Sequence, residues 1–214
     1  MGLLDRLAPR RPGADLAPPI APSPDDPVFA TKALRKFLAG LTSHASPVVL
    51  DLGPVVGSNV SFFGEQLGCK IFVEDLFADI DRHVREGKSD RLPEFLKGRL
   101  QQASGSVDGV LCWDVLDYLD KAAAHVLAAE LTRVLGADGA LLGFFGTSHS
   151  PVVRYTKYIV VDEVTLKYRA YPAVRGRQVV FANRDIIRLF PELRVSDSFL
   201  LQNNVREIVF KKHS

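Results

Sequence analysis

The sequence predicts an α/β fold built on a doubly wound, mostly parallel sheet, and three observations predict it. An apolar run ending in Val48-Val-Leu-Asp51 passes straight into a turn that carries Gly53 and Gly57. Strand-like and helix-like segments then alternate as far as Phe145, and the chain closes on two strand-like segments joined by Gln202-Asn-Asn204. Continuous apolar runs suit strands covered on both faces, and the strand-helix alternation is that of an open sheet with helices on either side.

Taken in order, the first helix is expected over Phe29 to Leu41, where Phe29, Ala33, Leu34, Phe37, Leu38 and Leu41 share one face. The strand into Gly53 comes next, followed by a helix around Val60 to Leu67 that Asn59 is placed to cap and Gly68 to end. Cys69 to Val73 reads as the second strand, closing on Glu74-Asp75. The polar interval Leu76 to Ser106 shows helical pieces near Ile80 to Glu86 and Leu92 to Leu100. Ser106 to Trp113 is another clear strand, and Asp120 to Leu135 a helix with Leu127, Leu131, Val134 and Leu135 as its inward stripe. The strand Ala140 to Phe145 follows Gly136-Ala-Asp-Gly139.

Beyond Gly146 the rhythm changes. Arg154 to Phe181 alternates β-branched, aromatic and basic residues, with turn signals at Pro172 and Gly176, which reads as a hairpin or small antiparallel addition at about 151–181. A short helix capped by Asn183 runs to Phe190, and the final strands lie near Arg194 to Leu201 and Val205 to Lys211.

The 214 residues are 47% hydrophobic and 24% charged, the balance of an ordinary globular domain with room for a three-layer core. A net charge of +2 is too small to argue for nucleic acid by itself. Cys69 and Cys112 sit in apolar strand contexts and read as buried thiols of a reducing compartment, without the spacing of metal ligands. No apolar run approaches the roughly 20 residues that cross a bilayer, and a cytoplasmic protein is expected. Residues 1–27 read as a flexible Pro-rich leader and 28–214 as one domain.

The segment Leu50-Asp-Leu-Gly-Pro-Val-Val-Gly57 resembles the first motif of class I S-adenosylmethionine-dependent methyltransferases, an acidic residue followed by G-x-G-x-G, with Val55 at the middle glycine and Pro54 before it. Glu74 stands about twenty residues beyond Gly53, where a carboxylate accepts the ribose hydroxyls of a nucleoside. Trp113-Asp-Val-Leu-Asp-Tyr-Leu119 is similar to the segment that leaves the family's fourth strand and lines the cofactor crevice. The resemblance covers roughly Phe29 to Lys211. It implies a Rossmann-like three-layer sandwich with a mostly parallel seven-stranded sheet and an antiparallel C-terminal strand pair, with a third strand inside Leu76 to Ser106.

It also implies S-adenosylmethionine as cofactor, held by Asp51, Gly53, Pro54, Gly57, Glu74 (or its neighbour Asp75), Trp113 and Asp114, and methyl transfer to an O or N nucleophile of a small molecule without a metal. Plain readings stay open beside these. Asp51 can brace its own loop, Glu74-Asp75 can be a solvated acidic pair, and Trp113 can be a core aromatic. The best-placed base is His149, just after the fifth strand, though a solvated loop histidine has the same look. The basic and aromatic stretch carries Arg154, Lys157, Lys167, Arg169, Arg175 and Arg177 among Tyr155, Tyr158, Tyr168 and Tyr171. Arg154, Tyr155 and Arg175 are its candidate acceptor contacts. Two further readings remain: a catalytically silent protein that keeps the fold for binding, and RNA methylation through the basic stretch.

Overall fold

The structure, a computed structural model, describes residues 26–149 and 152–213. Most of the predicted leader, 1–25, lies outside the described residues. Among the described residues the main sheet has six strands: β2 (Val48–Asp51), β3 (Lys70–Val73), β4 (Val107–Trp113), β5 (Leu135–Gly146), β8 (Leu193–Leu200) and β9 (Val205–Lys212). Their spatial order is β3-β2-β4-β5-β9-β8. The pairs β2/β3, β2/β4 and β4/β5 are parallel, while β9 runs antiparallel to both β5 and β8. Only β9 therefore opposes the common strand direction. The expected count of seven is corrected to six, because the interval meant to hold the third strand folds as α3 (Leu76–Arg85), a 3₁₀ turn and α4 (Leu92–Lys97). Its charged residues fit an amphipathic helical layer better than a strand buried on both faces.

Helices cover both faces. Val49 points into the layer formed by α1 (Ala33–Leu41) and the helix after β2, while Leu50 points into the layer of α3, α4, α5 (Lys121–Val134) and α6 (Asn183–Leu189). That alternation of two fully buried neighbours is why β2 reads as an unbroken apolar run. Helix α1 lies close on β4 because residue 109 is glycine. A Cβ there would come within 2.6 Å of Leu41 Cδ2 and 2.8 Å of Phe37 Cζ.

The helix after β2 begins as α2 (Gly57–Ser61) and continues as a wider π-helical turn, Phe62–Gln66. It ends at Gly68, whose φ of 67° makes it the expected C-terminal glycine. Asn59 is not its cap. Its buried side chain donates to the carbonyl of Tyr158 and accepts from the N–H of Val160, tying α2 to a strand a hundred residues on.

That strand is β6 (Arg154–Asp162), which pairs antiparallel with β7 (Thr165–Pro172) through a turn at Glu163-Val164. Pro172 ends β7 instead of turning the hairpin. A short strand β1 (Val28–Ala30) adds to β7, so the predicted first helix starts four residues late. Glu207 of β9, fully buried, accepts from the N–H groups of Lys32 and Ala33, and these are two of the orphan donors at the start of α1. The three-stranded sheet β1-β7-β6 sits across the carboxyl ends of the main strands, with Tyr158 packed into one helical layer and Tyr155 into the other.

Candidate functional site

Chain order reverses between β2 and β4: the strand after β2 lies on one side of it, the next on the other. The crevice outside the carboxyl ends of such a pair is where open α/β sheets bind ligands. Seven of the eight predicted cofactor residues stand at the end of a strand or in the turn that leaves one, the eighth, Gly57, opens α2, and the parallel register sets Asp51 of β2 beside Leu111 of β4 and Val73 of β3.

Asp51 is 2% exposed, and its Oδ1 accepts from the Gly53 N–H at 2.9 Å and from the Trp113 indole at 2.7 Å. Burial raises its carboxyl pKa to about 6 against the pull of those two donors. The loop-bracing reading of Asp51 is therefore realised here. Trp113 takes a φ of 49°, uncommon for a residue with a side chain, and this turns its indole over the glycine loop. A Cβ on Gly53 would lie 3.0 Å from that indole, whereas one on Gly57 would meet nothing within 4 Å. On its other side the indole stacks on Tyr158, with ring centroids 5.1 Å apart and planes at 9°.

Glu74 directly follows the last residue of β3, and both its oxygens are engaged. Oε2 meets Arg99 Nη1 at 2.6 Å, and Oε1 accepts from Gln102 Nε2 at 3.1 Å. Arg99 also reaches Asp79 at 2.6 Å. Asp75 is the cap of α3, accepting from the Ala78 N–H.

Asp114 is fully buried and paired with Arg177 at 3.1 Å; Arg177 also lies 3.4 Å from Asp117, which accepts from the Gly146 N–H. Burial pushes both carboxyl pKa values upward and Arg177 pulls them back, so one cation serves two buried acids. Oδ1 of each lacks a partner at hydrogen-bonding geometry. Arg177 thereby bolts the end of β4, the 3₁₀ turn Val115–Tyr118 and the end of β5 together.

Beyond Tyr158 lies a cavity of about 360 Å³, lined among others by His149, Arg154, Tyr158, Tyr168 and Arg177. Of the three acceptor candidates, Arg154 alone lines it. Tyr155 is fully buried against Phe77 and Tyr118 and donates to Asp81, and Arg175 donates to the Tyr118 carbonyl. The basic stretch is largely spoken for: Arg169 pairs with Asp26, Arg177 with Asp114 and Asp117, and Lys157 lies over the Tyr171 ring. Sequence reasoning misses Arg99 and reads Tyr158 only as one of the aromatic residues of the basic stretch. Arg99 carries no local signal, since its partner is 25 residues away.

No protein-family model and no curated protein matches the chain. Solved structures do. The Burkholderia thailandensis 1,6-didemethyltoxoflavin-N1-methyltransferase, with bound 1,6-didemethyltoxoflavin and S-adenosylhomocysteine, is similar at TM-score 0.50 and 20% identity, over 85% of this chain and 79% of its own. A TehB-like SAM-dependent methyltransferase from Corynebacterium glutamicum follows at TM-score 0.49 and 16% identity, over 84% and 87%. The glycopeptide N-methyltransferase MtfA stands at TM-score 0.48 and 13% identity, over 85% and 93%. The first likeness gives this chain the class I methyltransferase fold.

Proposed function

We propose that this protein is an S-adenosylmethionine-dependent methyltransferase acting on an O or N nucleophile of a small molecule. The observation that carries the reading is the meeting of Asp51, Gly53 and Trp113 at the topological switch point, where the acid of β2 and the end of β4 share one hydrogen bond. The Burkholderia thailandensis structure, of the same fold, holds S-adenosylhomocysteine and a small-molecule substrate.

The fit to the cofactor is partial. The space beside Gly57 is open, so the loop from Gly53 to Gly57 would hold the methionine part, with Asp51 as the charge nearest an ammonium and Glu74 facing the ribose. The Trp113–Tyr158 stack lies across the crevice beside Gly53, and Arg99 and Gln102 hold the Glu74 carboxylate. Binding therefore requires the Trp113–Tyr158 stack to turn aside and Glu74 to exchange partners. The cofactor supplies an activated methyl group for direct displacement. The chain's part is to align the acceptor, and alignment alone can supply much of the barrier reduction. His149, exposed at the cavity, is the base at hand for a hydroxyl acceptor. The free thiols Cys69 and Cys112, both buried, suit a reducing cytoplasm.

The same closed crevice favours a second reading, a catalytically silent protein that keeps the fold for binding. Isothermal titration with S-adenosylmethionine and S-adenosylhomocysteine, then an acceptor screen for S-adenosylhomocysteine release, separates the two. Binding with turnover supports the methyltransferase, and no heat with either ligand leaves the silent protein.

A further inference from the structure

We infer that the cavity beyond Tyr158 is a binding site for a small planar aromatic anion, a one- or two-ring carboxylate. At about 360 Å³ it stands at the small end of ordinary ligand pockets, which favours one or two fused rings over a larger molecule. One of its walls is aromatic and continuous. Phe29 packs on Tyr168 with centroids 4.6 Å apart, and Tyr168 meets Tyr158 edge-on at 4.8 Å. Three different strands contribute these rings, and the Asn59 bonds to the Tyr158 carbonyl and the Val160 N–H fix the β6 backbone, so in the cofactor-free chain the wall is already assembled. A flat ligand gains offset or edge contacts with all three rings at little ordering cost.

The charge is set by arginine. Arg177 reaches the cavity already neutralised by Asp114 and Asp117, so it offers hydrogen bonds more than net charge. Arg154 lines the cavity and is exposed, with its backbone carbonyl fixed by the Tyr118 hydroxyl at 2.9 Å. Among the described residues its guanidinium pairs with no carboxylate. A guanidinium that lines an aromatic-walled cavity and pairs with no carboxylate among the described residues matches a carboxylate on a ring, which it can grip with two parallel bonds. Naming this ligand the methyl acceptor rests on the methyltransferase reading; its binding does not.

The test uses the full chain without cofactor. 4-Hydroxybenzoate and 6-hydroxy-2-naphthoate are titrated by calorimetry against two comparators, 4-hydroxybenzyl alcohol, which lacks the charge, and cyclohexanecarboxylate, which lacks the flat ring. At least one aromatic acid is expected to bind saturably and at least tenfold more tightly than either comparator. Arg154→Ala should weaken that acid fivefold or more and leave the alcohol unchanged, and Tyr168→Leu should weaken acid and alcohol alike. No saturable binding of either aromatic acid overturns the assignment, as does equal binding of cyclohexanecarboxylate or an acid affinity that Arg154→Ala leaves intact. Failure of S-adenosylmethionine to bind, with the aromatic acid still bound, removes the methyltransferase reading and keeps the site.

Discussion

The indole of Trp113 donates to Asp51 across 2.7 Å, joining the end of β4 to the acid that ends β2. Trp113 is the chain's single tryptophan and sits between Gly53 and Tyr158, so its fluorescence reports the state of the crevice directly. Replacing Tyr158 by Leu removes one side of that stack. The variant is expected to bind S-adenosylhomocysteine more tightly than the native chain, with a shifted emission maximum, while losing about 1 to 3 kcal/mol of stability to imperfect packing. Unchanged affinity would show that Tyr158 does not close the crevice.

Asp51 makes stability depend on pH. Its native carboxyl titrates near 6 against an ordinary 3.8, so between those values the folded chain holds more protons than the unfolded one. Stability from this group is full below about pH 3.8 and declines as pH rises through 6, by about 3 kcal/mol in all. Asn at 51 keeps an oxygen for both donors without a charge to desolvate. Urea midpoints measured from pH 4 to 7 should show Asp51→Asn gaining on the native chain as pH rises. A constant difference would mean that Asp51 is not buried as described.

Arg99→Gln frees the Glu74 carboxylate. Affinity for S-adenosylhomocysteine should rise about tenfold, since Arg99 competes for the same oxygens as a ribose, and stability should change by no more than about 1 kcal/mol because the pair is partly exposed. Calorimetry checks both halves, and weaker binding in the variant would make Arg99 a ligand contact instead of a competitor.

Glu207 holds α1 to β9. Glu207→Ala strands two N–H groups at the buried start of the helix and is expected to cost about 2 to 4 kcal/mol, with Glu207→Gln recovering more than half of it. Chemical denaturation decides, and a loss below 1 kcal/mol in the Ala variant would count against the cap.

Much of this was legible in the sequence where burial is two-sided. Val49 and Leu50 fill opposite helical layers, so β2 has no polar position before Asp51 to blur it, and Gly53, Gly57 and Gly68 mark the turns that follow. What could not be read depends on tertiary partners. Phe29 fits the helical stripe of α1, but its backbone pairs with Leu166 of β7. The hairpin turns at Glu163-Val164, which carry no Gly or Pro, because Asp162 accepts from the Val164 N–H. Tyr155 and Arg154 are neighbours in a basic, aromatic run, and only the register of β6 decides that one is core and the other faces the cavity. Glu74 was correctly placed at its strand end, while the engagement by Arg99 follows from how α4 packs and from no motif.

The most direct test of the cofactor site compares the native chain with Gly57→Val. A Cβ at Gly57 meets nothing within 4 Å, so the fold is expected to tolerate the substitution, while the valine would occupy the space proposed for the methionine moiety. S-adenosylhomocysteine is titrated against both proteins, following Trp113 fluorescence and heat. Saturable binding with a Trp113 response is expected in the native chain and none in Gly57→Val at unchanged stability. Equal binding in the two, or no binding in the native chain, would rule out the cofactor site at this loop.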